Sequence, residues 1–320
     1  MRTGKTAAVI GASMSGLLTA AALHEHDDEV VVLDRDDLPA EPGPRKGVPQ
    51  GRQLHALLGK GLDTMDELLP GLGEELLAAG AVPFDVVRDI RFSMDARELA
   101  KAPSGIVNFG ISRTLLEHHV RRRVRALPRV ELREATPARG PAFAGDRVAG
   151  VETGDADDVL PADLVVDASG RGSRSLTRLR EHGYPEPERT TVRADLVYVT
   201  RRYRTRPGGT DPARVVVPPR ATGAAASSST RRTGSSASSC SACWAPRRRW
   251  TTPGRRRTRP SWAARTSNAS SRRESPSTSP SRCATRAANA ITWNASTASP
   301  PGCSSPATRS ARSTPPTARA

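Results

Sequence analysis

Beyond Arg220 the chain contains no leucine, valine, phenylalanine, tyrosine or methionine, and a single isoleucine, Ile291. No other feature limits the fold so tightly. Residues 221–320 are built mainly from Ser, Ala, Thr, Arg and Pro. Such a segment buries too little apolar surface to offset the entropy lost on ordering, and disorder is expected for it. The same position divides the charge. The formal net charge is +16, from 49 Lys+Arg and 33 Asp+Glu. Residues 221–320 hold 17 Arg and one acid, Glu274, which leaves residues 1–220 with 32 charges of each sign. An excess of +16 on a folded surface would point to a polyanion partner; confined to a segment that cannot fold, it says nothing of the folded part. All four Cys and all four Trp also follow residue 220. Only residues 1–220, rich in Val, Leu and Ala, can supply a core.

The first forty residues carry a recognisable order. Ala7-Ala-Val-Ile10 reads as a short buried strand, Leu17 to Leu23 as a helix, and Glu29-Val-Val-Val-Leu33 as a second strand. Between strand and helix stands Gly11-Ala-Ser-Met-Ser-Gly16. This is the strand, glycine turn, helix and strand of a dinucleotide-binding unit. Gly11 allows the tight turn, Gly16 lets the helix pack closely on the strand, and the free N–H groups of the helix start suit a diphosphate. Asp34 lies 23 positions after Gly11, near the roughly 20-residue spacing of an acid that binds a ribose hydroxyl. Ser13 replaces the middle glycine and adds a Cβ where the backbone approaches phosphate; its hydroxyl can donate instead. A plain βαβ unit without nucleotide is the bland alternative. Arg2 and Lys5 ahead of an apolar run imitate a signal peptide, but Gly11, Ser13, Ser15 and Gly16 interrupt that run.

Two later stretches add to the opening one. Pro44-Arg-Lys-Gly-Val-Pro-Gln-Gly-Arg-Gln-Leu-His-Ala-Leu57 follows the second strand. Gly145 to Glu152 reads as a strand, and Ala162-Asp-Leu-Val-Val-Asp167-Ala-Ser-Gly170-Arg-Gly172-Ser-Arg174 follows. In this order, over roughly Thr6 to Arg204, the motifs resemble the FAD-dependent monooxygenases and related oxidoreductases of the aromatic-hydroxylase type, which share the glutathione-reductase-like FAD fold. The resemblance implies an α/β protein: a Rossmann-like FAD-binding domain over residues 1–183 with an insertion at 45–110, a truncated β-sheet substrate domain beginning at 184–220, and the tail 221–320. It implies FAD as cofactor, NAD(P)H as electron donor and a small organic substrate. The residues it marks for the cofactor are Gly11, Ser13, Gly16, Asp34, Arg35, Arg45, Arg113, Asp167 and Gly170. Arg45 matches an arginine that reaches FAD after the second strand, and Arg113 one that opens a helix near the flavin. Gly170 and Gly172 suit close backbone approach.

No catalytic base stands out, because in this family the cofactor carries the hard chemistry. The six His show no metal-ligand spacing; His55 alone lies in a family-like segment. Arg121-Arg-Arg-Val-Arg125 reads as a solvated helix face. Val192 to Arg204 alternates like a strand of the second domain, and Val215-Val-Val217 begins another. No run reaches the roughly 18 apolar residues of a membrane span. No Cys precedes residue 240, and a cytoplasmic location is expected.

The family also uses a Gly-Asp pair far along the chain, and residues 221–320 contain no Asp. The genetic code offers a reason. Read one base earlier, codons that specify Gly302 to Ala320 can specify Leu-Leu-Val-Thr-Gly-Asp-Ala-Val-Cys-Ala-Leu-Asn-Pro-Thr-Tyr-Gly-Lys-Gly. The same shift turns residues 225–234 into Gly-Val-Val-Leu-His-Glu-Glu-Asp-Gly, and residues 289–299 into another plausible coding stretch. We read the tail as frameshifted near residues 219–226, with impaired FAD binding as the consequence. Cys240-Ser-Ala-Cys243 and the arginine triplets 247–249 and 255–257 then become by-products. The alternative is a nucleic-acid-binding protein with a basic disordered arm on an α/β domain.

Overall fold

Runs of small and β-branched residues near the N-terminus place a parallel sheet at the centre of the structure, a computed structural model. It describes residues 5–53, 55–94, 97–154, 158–192, 196–204, 214–217, 225–233, 236–246, 275–276, 281–285 and 288–291. The chain opens with β1 (Thr6–Ile10), α1 (Met14–Leu23) and β2 (Glu29–Leu33). Next come α2 (Gly59–Leu68), α3 (Leu72–Ala78), β3 (Val82–Asp85), β4 (Ile90–Met94), β5 (Arg97–Glu98) and β6 (Val107–Gly110). Helix α4 (Arg113–Arg125) leads to β7 (Val130–Arg133), β8 (Ala138–Ala144), β9 (Arg147–Thr153), β10 (Asp158–Pro161), β11 (Leu164–Asp167) and α5 (Ser175–Glu181). Then follow β12 (Arg189–Val192), β13 (Leu196–Arg204), β14 (Arg214–Val217), β15 (Ala225–Thr233), β16 (Ser236–Pro246), β17 (Ser275–Pro276), β18 (Ser281–Thr285) and β19 (Ala288–Ile291).

The parallel sheet runs β11-β1-β2-β7. Its two central strands are covered on both sides, which is why they read as unbroken apolar runs. Alternate residues face opposite ways. Ala7, Val9, Val30 and Val32 pack with α1, α2, α3 and α4 through Leu17, Ala20, Leu62, Leu76, Val120 and Val124. Ala8, Ile10, Val31 and Leu33 pack on Val151 and Ala162, at the antiparallel sheet β10-β9-β8. The α/β class and the parallel sheet agree with the sequence.

A second sheet runs β17-β13-β16-β15-β14-β4-β5, with β18 also paired to β13. It takes β13 and β14 where the apolar patterns at 192–204 and 215–217 put strands. It also takes β4, which pairs in parallel with β14. Two of its long strands differ from the expectation of disorder. β15 and β16 form an antiparallel pair from Ala225↔Trp244 to Thr233↔Ser236, and β16 runs beside β13 from Leu196↔Pro246 to Arg204↔Ser238. Composition argues against a side-chain core there, but a ladder is made by backbone N–H and C=O groups that every non-proline residue carries. A strand with β13's pattern offers an edge on which almost any extended segment can pair. The shorter strands β17, β18 and β19 also fall in the tail. Its other residues, including the recovered Gly-Asp position in 302–320 and the arginine triplets, lie outside the described residues.

Candidate functional site

The carboxyl ends of β1, β2 and β11 open into a cleft of about 350 Å³. Its walls are the turn after β1, the end of β2, the turn after β11 and the connection from β7 to β8. Gly11 shapes the first wall. Its φ of +102° lies where L side chains are strained. Its N–H donates to the Leu33 carbonyl at 2.7 Å, and a Cβ on it would stand 2.8 Å from the Ala168 carbonyl oxygen. Gly16 answers a different constraint: a Cβ there would lie 1.7 Å from the Gly11 carbonyl oxygen. These are the two close approaches that the motif leads one to expect.

The start of α1 points to the same turn. Ser13 has the extended backbone of a capping residue, φ −92° and ψ −172°, but its side chain makes no cap, and no acid stands in the first turn. The N–H groups of that turn are left for an anion. The Ser13 hydroxyl is engaged elsewhere. It donates to Glu117 Oε2 at 3.3 Å and accepts from Arg113 Nη2 at 3.0 Å.

Asp34 is 7% exposed. Its Oδ2 accepts from the Ala12 N–H at 2.7 Å and from Arg45 Nη1 at 3.1 Å, and its Oδ1 accepts from the Asp36 N–H at 2.9 Å. The carboxylate therefore braces the glycine turn as well as lining the cleft. Arg35, next along, is exposed on the cleft wall and makes no ion pair among the described residues.

Arg45 lines the cleft too, but its guanidinium is committed. Nε donates to Glu117 Oε1 at 2.8 Å, Nη1 to Asp34 and at 3.3 Å to Asp36, and Nη2 to the Ala12 carbonyl at 2.9 Å. Burial opposes its charge, but Glu117 and Asp34 outweigh burial and raise its pKa. The resemblance assigns Arg45 a direct reach to FAD; in the structure its side-chain bonds tie three carboxylates and the glycine turn together. Arg113 starts α4, as expected, and lies beside the cleft behind Ser13, with its Nε buried and without a hydrogen-bond partner among the described residues.

Glu117 was not legible as a site residue. It sits on α4, 5% exposed, and faces Ser13, Arg45, Arg113 at 3.4 Å and Arg121 at 3.6 Å. The available signal was its place at i+4 from Arg113 and i−4 from Arg121, on the apolar stripe of Leu116, Val120 and Val124. Arg121 corrects the solvated-face reading of Arg121–Arg125. It is 5% exposed and donates to the Pro39 carbonyl, while Arg122 and Arg125 are exposed as expected. Burial lowers the pKa of Arg121, and the charge of Glu117 opposes that only in part.

On the opposite wall, Asp167 accepts from the N–H and hydroxyl of Ser169 and from the hydroxyls of Ser173 and Ser175. Burial raises its pKa, but these donors prevail and hold it below the ordinary carboxylate value. The turn they brace contains Gly170, at φ +72°, and Gly172, and a Cβ on either would meet no atom of the described residues within 4 Å. His55 is half-buried against the Gln53 carbonyl, outside the cleft, with its pKa lowered first by burial. Among the described residues no His, Cys, Asp and Glu cluster could hold a metal, and no helix is long and apolar enough to cross a membrane.

No protein-family model matches the chain. Protein Rv3254 of Mycobacterium tuberculosis is 34% identical over 225 residues, which take in 66% of this chain and 47% of that protein. Many solved structures share the fold, among them the following three. PqsL, a probable FAD-dependent monooxygenase from Pseudomonas aeruginosa, superposes with a TM-score of 0.57 at 16% identity, over 77% of this chain and 62% of that one. The chain has the fold of the FAD-dependent monooxygenases. The flavin-dependent brominase Bmp2 gives 0.60 at 14% identity, over 88% and 67%. The myxobacterial chondrochloren halogenase CndH gives 0.60 at 17%, over 91% and 66%. The chain spans about half the length of its curated relative and under two thirds of PqsL. The nucleic-acid-binding alternative gains no support from these likenesses.

Proposed function

We propose that the cleft is the ADP half of an FAD site, and that the chain derives from an FAD-dependent oxidoreductase, a monooxygenase that uses NAD(P)H on a small organic substrate. The observation that carries this is the double close approach at Gly11 and Gly16 beneath an uncapped helix start. The residues present fit the group. The turn Gly11–Ser13 and the first N–H groups of α1 would hold the diphosphate. Asp34, whose carboxylate oxygens keep lone pairs beyond the three bonds they accept, and Arg35 would meet the ribose side. Asp167 and Gly170 bring the second wall close without a side chain in the way. When bound, FAD supplies redox chemistry that no side chain here carries. The protein's part is to orient it and keep water away.

The chain as written is an impaired version of that enzyme in this reading, because the frame is lost near residues 219–226. The share that matches Rv3254, 66% of the chain, is close to the 220 of 320 residues that precede the change of composition. The decisive comparison is between the protein as written and one whose gene carries a one-base correction near codon 222. The corrected protein is expected to purify yellow with one FAD, the protein as written without stoichiometric flavin. A corrected protein that stays colourless and takes up no FAD overturns the flavin assignment. Stoichiometric flavin in the protein as written overturns the impairment.

A further inference from the structure

Ser13 poses a problem that the fold alone does not explain. A serine with extended backbone at the head of a helix ordinarily turns its hydroxyl back to accept from the N–H groups of the first turn. Ser13 has that backbone, φ −92° and ψ −172°, and makes no such bond. Were it to do so, it would occupy the donors left for a diphosphate and would screen the positive end of the helix.

Two side chains from α4, about a hundred positions away in sequence, hold the hydroxyl off. Glu117 Oε2 accepts its proton at 3.3 Å, and Arg113 Nη2 donates to its oxygen at 3.0 Å. The proton and one of the two lone pairs of the Ser13 hydroxyl are thereby used, and the oxygen is drawn toward α4. Neither partner is free to drift. Glu117 is fixed by Arg45 at 2.8 Å and faces Arg121 at 3.6 Å, and Arg113 faces Glu117 at 3.4 Å. Arg45, Arg113 and Glu117 also line one small cavity, together with Gly43 and Thr114.

We propose that Glu117 and Arg113 are positioning residues that keep Ser13 from capping its own helix, and so hold the α1 N-terminus open for the diphosphate of a nucleotide. This rests on the ADP-site assignment above. It explains how a serine can stand where a dinucleotide turn favours glycine: the side chain is tied back by α4. Ser13 then needs no contact with the ligand to matter.

The test is a set of ADP titrations by calorimetry on the full chain, with ADP as probe because the cleft residues serve that half of FAD. Glu117→Gln exchanges a charged acceptor for a weaker neutral one and loosens the hold on the hydroxyl, and ADP affinity is expected to fall by up to about five-fold, the size of one side-chain cap. Adding Ser13→Ala to Glu117→Gln removes the competing cap and is expected to restore affinity. Arg113→Gln, at a site less buried than Glu117, is a second route to the same loss and the same rescue if Glu117→Gln fails to fold. A purely structural role for Glu117 or Arg113 predicts a loss that Ser13→Ala does not reverse, and that result overturns the proposal. Unchanged affinity in both single variants overturns it too. Absence of ADP binding by the unaltered chain would overturn the ADP-site assignment, and this proposal with it; binding without rescue overturns the proposal alone.

Discussion

Gly16 is the residue whose identity the packing most narrowly determines. A methyl group there cannot be absorbed by a side-chain shift, because the atom it meets, 1.7 Å away, is the Gly11 backbone oxygen. Gly16→Ala is expected to cost at least the top of the roughly 1–3 kcal/mol range for overpacking, seen as a lowered Tm or loss of soluble protein. Gly172 is the contrast. A Cβ there meets no atom of the described residues within 4 Å, and Gly172→Ala is expected to change stability by under about 0.5 kcal/mol. If Gly172 is small for the sake of a ligand, the same variant weakens ADP binding while Tm stays put. The two glycines look alike in sequence; a strand and helix in contact made one of them obligatory, and open space beside the turn did not constrain the other.

At the scale of elements, two groups of side chains tie the cleft walls to the frame. The first links β2, the 45–48 loop, the turn before α1 and α4 through Asp34, Asp36, Arg45, Glu117 and Arg121. Removing one partner of such a buried network leaves charges unpaired, so Glu117→Ala is expected to destabilise by about 3–5 kcal/mol, measured by denaturant unfolding. The second is the serine clasp on Asp167. Its pKa is held below the unfolded value, so its stabilising contribution is present above pH of about 4 and is lost as pH falls through the folded value. Asp167→Asn is expected to flatten the acid side of the stability profile in that window. The elements around these groups were legible because β1 and β2 are short unbroken apolar runs and the glycine turn marks where α1 starts. The groups themselves were half legible. Asp34 and Asp167 follow from motif spacing. Glu117 and Arg121 do not, because a charge in an arginine-rich helix looks solvated until the elements that cover it are placed.

For the whole molecule, the change at residue 220 governs what can be completed. Every described residue that lines the cleft lies between Ile10 and Ser175. In this reading the chain as written should bind FAD no more tightly than it binds ADP, since the Gly-Asp pair that the resemblance calls for is missing past residue 220. Competition of the two ligands in one titration measures this, and clear preference for FAD would show that a flavin site survives elsewhere in the chain.

The order of strand, glycine turn, helix and strand, the acid after β2 and the second glycine turn after β11 were all determined by local sequence, because each depends on backbone geometry or periodicity within a few residues. So was the loss of core-forming residues past 220. Tertiary structure alone decided what the charged side chains do. It buried Arg45 among three carboxylates, turned Glu117 toward Ser13, and paired β16 with β13 and β15 with β16 and β14 where composition argues for disorder. Ion-pair partners and strand edges come from segments tens of residues away, and which of them meet is set only when the sheet and α4 pack together.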